Sequence, residues 1–86
     1  MVKMSKKRRT KIEVIRDVLE IVRKGGEVKK TEIVYGANLN FERASRIIKW
    51  LTEGGLIESD SDGYKITERG EEILREIEKL GALFKS

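Results

Sequence analysis

The order of secondary structure is decided by residues 31–70, which read TEIVYGANLNFERASRIIKWLTEGGLIESDSDGYKITERG. Asn40 is a good N-cap for a helix from Phe41 to about Glu53, and the glycine pair at 54–55 ends it. On a helical wheel its apolar residues gather on one side: Phe41, Ala44, Ile48 and Leu51, flanked by Ile47. This helix is expected to bury that side and to expose the other.

A shorter helix precedes it. Thr31 can cap this helix, and Gly36 and Asn38 end it within about two turns. Its core residues are Ile33, Val34 and Ala37. Since residues 39–40 leave room only for a turn, the pair forms a helix-turn-helix.

A β-hairpin follows. The runs Leu56-Ile57-Glu58-Ser59 and Tyr64-Lys65-Ile66-Thr67 are strand-like, and Asp60-Ser61-Asp62-Gly63 between them tolerates positive φ.

Two further helices flank this region. Thr10 and Glu13 fit a capping box at the start of a helix over about residues 11 to 24. The apolar stripe of this helix is Ile12, Ile15, Val18, Leu19 and Val22. Thr67 can cap a last helix over about residues 67 to 81, in which Gly70 permits close backbone packing and Gly81 interrupts the pattern.

The fold class is therefore α+β and mainly α. The element order is that of a winged helix-turn-helix, with a three-helix core, a β-hairpin wing and a C-terminal helix. Residues 10–86 form this domain, and residues 1–9 are a flexible basic arm.

Composition excludes many functions. The chain has no Cys and no His, which removes disulfides, thiolate nucleophiles, the usual zinc ligands and the most versatile acid-base side chain. No apolar run approaches the roughly 18 residues that span a bilayer. We expect an intracellular non-enzyme with no cofactor, metal or evident small-molecule ligand. The 40% charged residues and the absence of Gln are typical of thermophilic proteins.

Positive charge is concentrated at the N-terminus. The formal net charge is +4, yet the first eleven residues hold basic side chains and no acid: Lys3, Lys6, Lys7, Arg8, Arg9 and Lys11. The rest of the chain is slightly acidic. Such an arm binds DNA phosphates by releasing counterions, and its alternative role is that of a solubilising tail.

The solvent side of the helix at 41–53 has the pattern of a recognition helix. The DNA-facing candidates are Asn40, Glu42, Arg43, Ser45, Arg46 and Lys49. Arg43 and Arg46 lie early enough to donate to guanine N7 and O6 in a major groove, while Lys49 suits a phosphate. Glu42 either accepts from cytosine or stabilises the helix dipole. The alternative is an ordinary solvated face.

Other candidate contacts lie outside this helix. Lys29 and Lys30 stand where a helix N-terminus meets the DNA backbone, unless they are only exposed link residues. The wing offers Tyr64 and Lys65, but its tip is acidic, which argues against deep insertion into DNA. Trp50, the only Trp, either packs under the wing or marks a protein contact.

The last helix carries a second apolar stripe. Ile73, Ile77, Leu80 and Phe84 repeat at heptad spacing, so they form a dimer interface or fold back on the first helix.

Residues 31–74, TEIVYGANLNFERASRIIKWLTEGGLIESDSDGYKITERGEEIL, resemble the archaeal winged-helix family of small predicted transcription regulators. The similarity lies in Ala37-Asn38-Leu39, in Gly55-Leu56-Ile57 and in the run from Tyr64 to Gly70. Some relatives are chromatin-type DNA-binding proteins that dimerise through a longer C-terminal coiled coil, and Gly81 departs from that pattern. The resemblance implies a cytoplasmic, nucleoid-associated homodimer on double-stranded DNA. Protein docking within a larger assembly and RNA binding are the alternatives.

Overall fold

The structure is a computed structural model that describes residues 10–85, with side chains up to residue 83. Its elements are α1 (Lys11–Gly25), α2 (Lys30–Gly36), α3 (Phe41–Glu53), β1 (Ile57–Asp60), β2 (Gly63–Ile66) and α4 (Glu68–Lys85). This order confirms the winged helix-turn-helix. The arm at residues 1–9 lies outside the described residues.

Side-chain caps fix three of the four helix starts. At α1, Thr10 Oγ1 accepts from the backbone N–H of Glu13 at 3.1 Å, and Glu13 Oε1 accepts from that of Thr10 at 2.9 Å. At α3, Asn40 Oδ1 accepts from the N–H of Arg43. At α4, Thr67 Oγ1 accepts from the N–H of Gly70 at 3.0 Å. Each of these caps was predicted from sequence, and each is worth about 1 kcal/mol.

Two helix boundaries differ from the predictions. Thr31 does not cap α2, because α2 begins at Lys30. Glu32 stabilises that start instead, its carboxylate accepting from the N–H of Lys29 at 2.8 Å. Gly81 does not end α4, which continues to Lys85 rather than stopping at 81. A helical Gly costs only about 1 kcal/mol relative to Ala, too little to end a helix among good helix formers.

The wing is a hairpin with a third chain segment beside it. In this hairpin Ile57 pairs with Ile66 and Asp60 with Gly63. Strand β1 begins and ends one residue later than the sequence predicts, and β2 begins and ends one residue earlier. Val28 pairs with Tyr64 on the other side of β2 through two backbone hydrogen bonds of 3.0 and 2.8 Å. The link between α1 and α2 thus anchors the wing.

One core joins all the elements. Its buried side chains come from both flanking helices, the helix-turn-helix and the wing: Val14, Ile15, Val18, Leu19, Val22, Val28, Ile33, Val34, Ala37, Leu39, Ala44, Ile48, Leu51, Leu56, Ile57 and Leu74. Ile12 and Phe41, both predicted to be core residues, are instead more than half exposed. Each lies in the first turn of its helix, at the edge of the packed core.

The start of α4 lies tight against the wing. Thr67 Oγ1 donates to the carbonyl oxygen of Gly55 at 2.6 Å, and Arg69 Nε donates to that of Gly54 at 3.2 Å. Arg69 thereby satisfies a carbonyl at the C-terminal end of α3. These bonds hold α3, the wing and α4 in one fixed arrangement.

Candidate nucleic-acid interface

The start of α1 and the solvent side of α3 enclose an open groove of about 510 Å3. We call it the α1–α3 groove, and its lining residues are Lys11, Ile15, Arg43, Arg46, Ile47, Lys49, Trp50 and Glu53. Four of these side chains are basic and one is acidic. The structure therefore brings Lys11, from the basic N-terminal stretch, together with three predicted DNA-facing residues of α3.

Burial of one side of α3 dictates which residues reach this groove. Ala44, Ile48 and Leu51 pack into the core. Arg43 and Arg46 are three residues apart, so they share the opposite side of the helix. Both are exposed and project from its first two turns.

The Arg46 guanidinium has a neighbour of opposite charge. Its Nη1 lies 3.6 Å from Oε2 of Glu42, one turn earlier on α3. An exposed i,i+4 pair of this kind contributes only about 0.3–0.5 kcal/mol. The pair orients Arg46, and it is weak enough for Arg46 to leave Glu42 and donate to another acceptor.

Two residues of the predicted DNA-facing set already have bonds within α3. Asn40 Oδ1 is the N-cap acceptor, at 2.7 Å from the nitrogen of Arg43. Ser45 Oγ donates to the carbonyl oxygen of Phe41 at 3.0 Å and is half-buried. Asn40 keeps its amide donors, whereas Ser45 contributes chiefly to the helix itself.

Lys29 and Lys30 are not among the residues that line the α1–α3 groove. They border a shallow depression formed with the wing turn, residues 59–64. Lys30 also lines a second depression together with Ser45 and Lys49 of α3 and Tyr64 of the wing. Lys30 Nζ also lies 4.6 Å from the centroid of the Phe41 ring, a cation–π contact. The Phe41 ring, although more than half exposed, therefore packs against Lys30 of α2.

The wing tip carries negative charge. Its Lys65 is paired with Asp60 across the hairpin at 3.5 Å, and Tyr64 is half-buried against the core. The Ser61 backbone N–H, followed by Lys65, lowers the pKa of Asp60 and keeps it ionised. Loss of hydration and the charges of Asp60 and Asp62 raise the pKa of the adjacent Glu27. The wing tip is thus acidic, whereas the lining of the α1–α3 groove is mostly basic.

Trp50 is 58% exposed and lines the α1–α3 groove. The prediction that it packs under the wing is wrong, because α3 turns that side of its last two turns toward α1. Trp50 lines the groove together with Arg43 and Ile47 of the same helix.

The apolar stripe of α4 is divided between the core and the surface. Ile73 and Ile77 are partly buried and pack against the core. Leu80 is exposed and Leu83 is 70% exposed. The Phe84 side chain lies outside the described residues, as do Lys6, Lys7, Arg8 and Arg9.

Sequence reasoning missed the part that α1 takes in the groove. Ile15 and Lys11 line it together with Glu53 at the far end of α3, although about 40 residues separate them along the chain. The exposure of Ile12 is consistent with a surface there, yet a period-of-3.6 pattern assigns it to the core.

Metal-binding and membrane-spanning features are not found in the part of the chain that the structure describes. There, no group of three acidic side chains is placed to hold a metal ion. No helix among those residues is long and apolar enough to cross a membrane.

Comparison with known proteins identifies the family. The winged helix-turn-helix family model matches residues 8–85. An uncharacterized protein of Methanocaldococcus jannaschii, MJ0287, is 30% identical over 79 residues, which are 92% of this chain and 80% of that protein.

Two solved structures have a similar fold. Sso10a-2, a DNA-binding protein from Sulfolobus solfataricus, superimposes with a TM-score of 0.77 at 26% identity and covers 90% of this chain and 83% of its own. The activation domain of the phage T4 transcription factor MotA reaches 0.69 at 23% identity, covering 91% and 80%. The chain has the helix-turn-helix and the wing described above and matches the family model over residues 8–85, so it belongs to the winged helix-turn-helix family.

Proposed function

We propose that this protein binds double-stranded DNA as a transcriptional regulator or an architectural protein, with α3 in the major groove. The observation that carries the proposal is the separation of charge over the surface. Lys11, Arg43, Arg46 and Lys49 meet at one groove, while the acidic residues of the wing tip lie elsewhere. A DNA duplex requires such a cationic face.

The exposure of the basic residues supports a different role for each. The major groove admits one α-helix, and arginines near the start of that helix reach base edges. Arg43 and Arg46 meet this requirement, because both are exposed in the first two turns of α3. Lys49, later on α3, and Lys11, on α1, would contact phosphates.

Lys11, the first residue of α1, lines the groove, so the basic arm at residues 1–9 joins the domain beside α3. Phosphate contacts from Lys6, Lys7, Arg8 and Arg9 would then add affinity for every sequence alike. The acidic wing tip does not enter the duplex.

The comparisons support this proposal. Sso10a-2 is a DNA-binding protein, and its fold is similar to that of this chain over 83% of its own length. A DNA-bound protein resides with the chromosome, in the cytoplasmic nucleoid of an archaeal cell.

Backbone amide shifts in NMR test the proposed face. On addition of a random-sequence duplex, we expect shifts at residues 11–15 and 41–50, and none at the wing tip, residues 59–62. Shifts confined to the wing would contradict the proposal. The variant Asp62→Asn serves as a control, since it leaves the groove unchanged.

We also propose that α4 joins two copies into a homodimer. Ile73 and Ile77 pack against the core of their own subunit, so the exposed Leu80 and Leu83 further along α4 supply the contact. Exposed leucines on a helix end are usual in such interfaces. Sedimentation equilibrium should show a dimer for the native chain and a monomer for Leu80→Ser. A native monomer would refute the dimer and leave DNA binding unaffected.

A further inference from the structure

Part of the α1–α3 groove is not used by the proposed DNA contacts. Trp50 is more than half exposed there, and Ile15 and Ile47 form the apolar floor between it and the start of α1. Exposing a Trp to water gives up a large hydrophobic stabilisation, and the duplex edges read by Arg43 and Arg46 do not need it. Trp and Arg are also the residues most enriched among those that dominate protein interfaces.

We infer that the α1–α3 groove is a docking site for an acidic amphipathic helix of a partner protein. Charge complementarity identifies this occupant. Lys11, Arg43, Arg46 and Lys49 face the groove and attract carboxylates, while Trp50 and the isoleucine floor accept an apolar stripe.

The size of the groove fits a helix of a few turns. The lining residues on α3 run from Arg43 to Glu53, a length of about 15 Å at the helical rise of 1.5 Å per residue. They recur every three or four residues, as expected when one helix lies along another. The groove is open along one side, which leaves access for a segment of a larger protein.

Glu53 favours a protein segment at the Trp50 end of the groove. Its carboxylate lies next to Trp50 along α3, where it would repel a phosphate backbone. A partner helix avoids this repulsion by placing its acids near Arg43 and its apolar residues near Trp50. The groove thus sets a direction for the bound helix.

Occupation of the groove would block DNA binding. Arg43 and Arg46 serve both ligands, so the two cannot be bound at once; this consequence rests on the proposed function. The docking itself does not, because it can be measured without DNA.

A synthetic peptide provides the test. The probe is a fluorescein-labelled helix of about 16 residues, long enough to fold on the groove. It carries four glutamates in its first half and three leucines at i, i+4 and i+7 in its second half. Binding is followed by anisotropy at about 50 mM salt, where ionic contacts are little screened.

We expect saturable binding and a blue shift of the emission of Trp50, the only Trp in the chain. Trp50→Ala should weaken the peptide by about tenfold, since loss of a central aromatic anchor has effects of this size. Arg43→Ala should weaken it as well. Tyr35→Ala should bind as the native protein does, because Tyr35 is 82% exposed on α2 and outside the groove.

A second peptide, with the leucines changed to serine, separates docking from simple charge attraction. It should lose most of its affinity. Equal binding of both peptides, or no effect of Trp50→Ala in a protein whose circular dichroism is native, would overturn the inference. So would a blue shift that duplex DNA produces and the leucine peptide does not.

Discussion

Asn40 Oδ1 accepts a hydrogen bond of 2.7 Å from the backbone N–H of Arg43, so the residue that begins α3 also fixes the first residue of its cationic face. This cap therefore affects both the stability of α3 and the position of a residue proposed to contact DNA.

Asn40→Ala should lower the free energy of unfolding by about 1 kcal/mol, the usual effect of losing an N-cap acceptor. Urea denaturation measures the loss. Asn40→Asp keeps an acceptor at this site and should unfold close to the native midpoint. If the alanine variant were as stable as the aspartate variant, the cap would not be stabilising α3.

Two glycines of α4 should respond to alanine in opposite directions. A Cβ at Gly70 would overlap the carbonyl oxygen of Leu56 and approach Ile66 Cγ1 to 2.8 Å, whereas a Cβ at Gly81 meets no atom within 4 Å. Gly70→Ala should thus destabilise the fold by about 2 kcal/mol through overpacking. Gly81→Ala should stabilise it by about 0.5–1 kcal/mol through helix propensity.

Urea denaturation of both variants separates these effects. A loss of stability in Gly81→Ala would show that α4 is not helical through residue 81. An unchanged Gly70→Ala would contradict the close contact between α4 and the wing.

The interaction of the carboxyl groups of Glu20 on α1 and Glu78 on α4 raises the pKa of Glu78 and lowers that of Glu20. Because the folded state holds the Glu78 proton more tightly than the unfolded state, this group loses stabilising effect as the pH rises through its folded pKa. Glu78→Gln should therefore raise the melting temperature at about pH 7, well above the ordinary glutamate pKa.

The advantage of Glu78→Gln should shrink at about pH 4, where Glu78 of the native chain is largely protonated. Thermal unfolding followed by circular dichroism at the two pH values checks this. Glu20 keeps a possible donor opposite it in this variant, because a glutamine amide donates as a protonated carboxyl does. An equal effect at both pH values would rule out the interaction between the two carboxyl groups.

Arg46→Ala should cost about 1 to 3 kcal/mol on a preferred duplex and relax the choice of base at one position. The physical reason is the loss of two donors that a guanine edge accepts. Anisotropy with single-base variants of the selected duplex measures both effects. Lys79→Ala, on the exposed side of α4, is the matched loss of one positive charge and should have little effect. An equal loss on every duplex would remove the proposed base contact.

The fold was predictable because local signals agree with one another. Thr10 with Glu13, Asn40 and Thr67 each offer a cap directly before an apolar period, and the caps form as expected. The errors fall where tertiary contacts override local patterns. Ile12 and Phe41 continue an apolar stripe, but both lie in the first turn of their helix and are more than half exposed.

The candidate site was predictable for Lys11 and along α3, residue by residue, but not as a groove. The exposure of Arg43, Arg46 and Lys49 follows from the burial of the other side of one helix. The groove also requires α1. The periodicity of the sequence does not indicate how α1 lies against α3, because α2 and two connecting segments separate the two helices along the chain. Trp50 shows the same limit, since its side of α3 faces α1 rather than the wing.

The most direct test of DNA binding is a titration of a labelled random-sequence duplex of about 25 base pairs at about 50 and 150 mM salt, followed by anisotropy. Native protein should bind, and its log affinity should fall by about 0.9 per contacted phosphate for each decade of salt. Lys49→Ala should reduce that slope by about one contact. Absence of binding at the lower salt, with the native fold intact, would contradict the proposal that the α1–α3 face binds DNA.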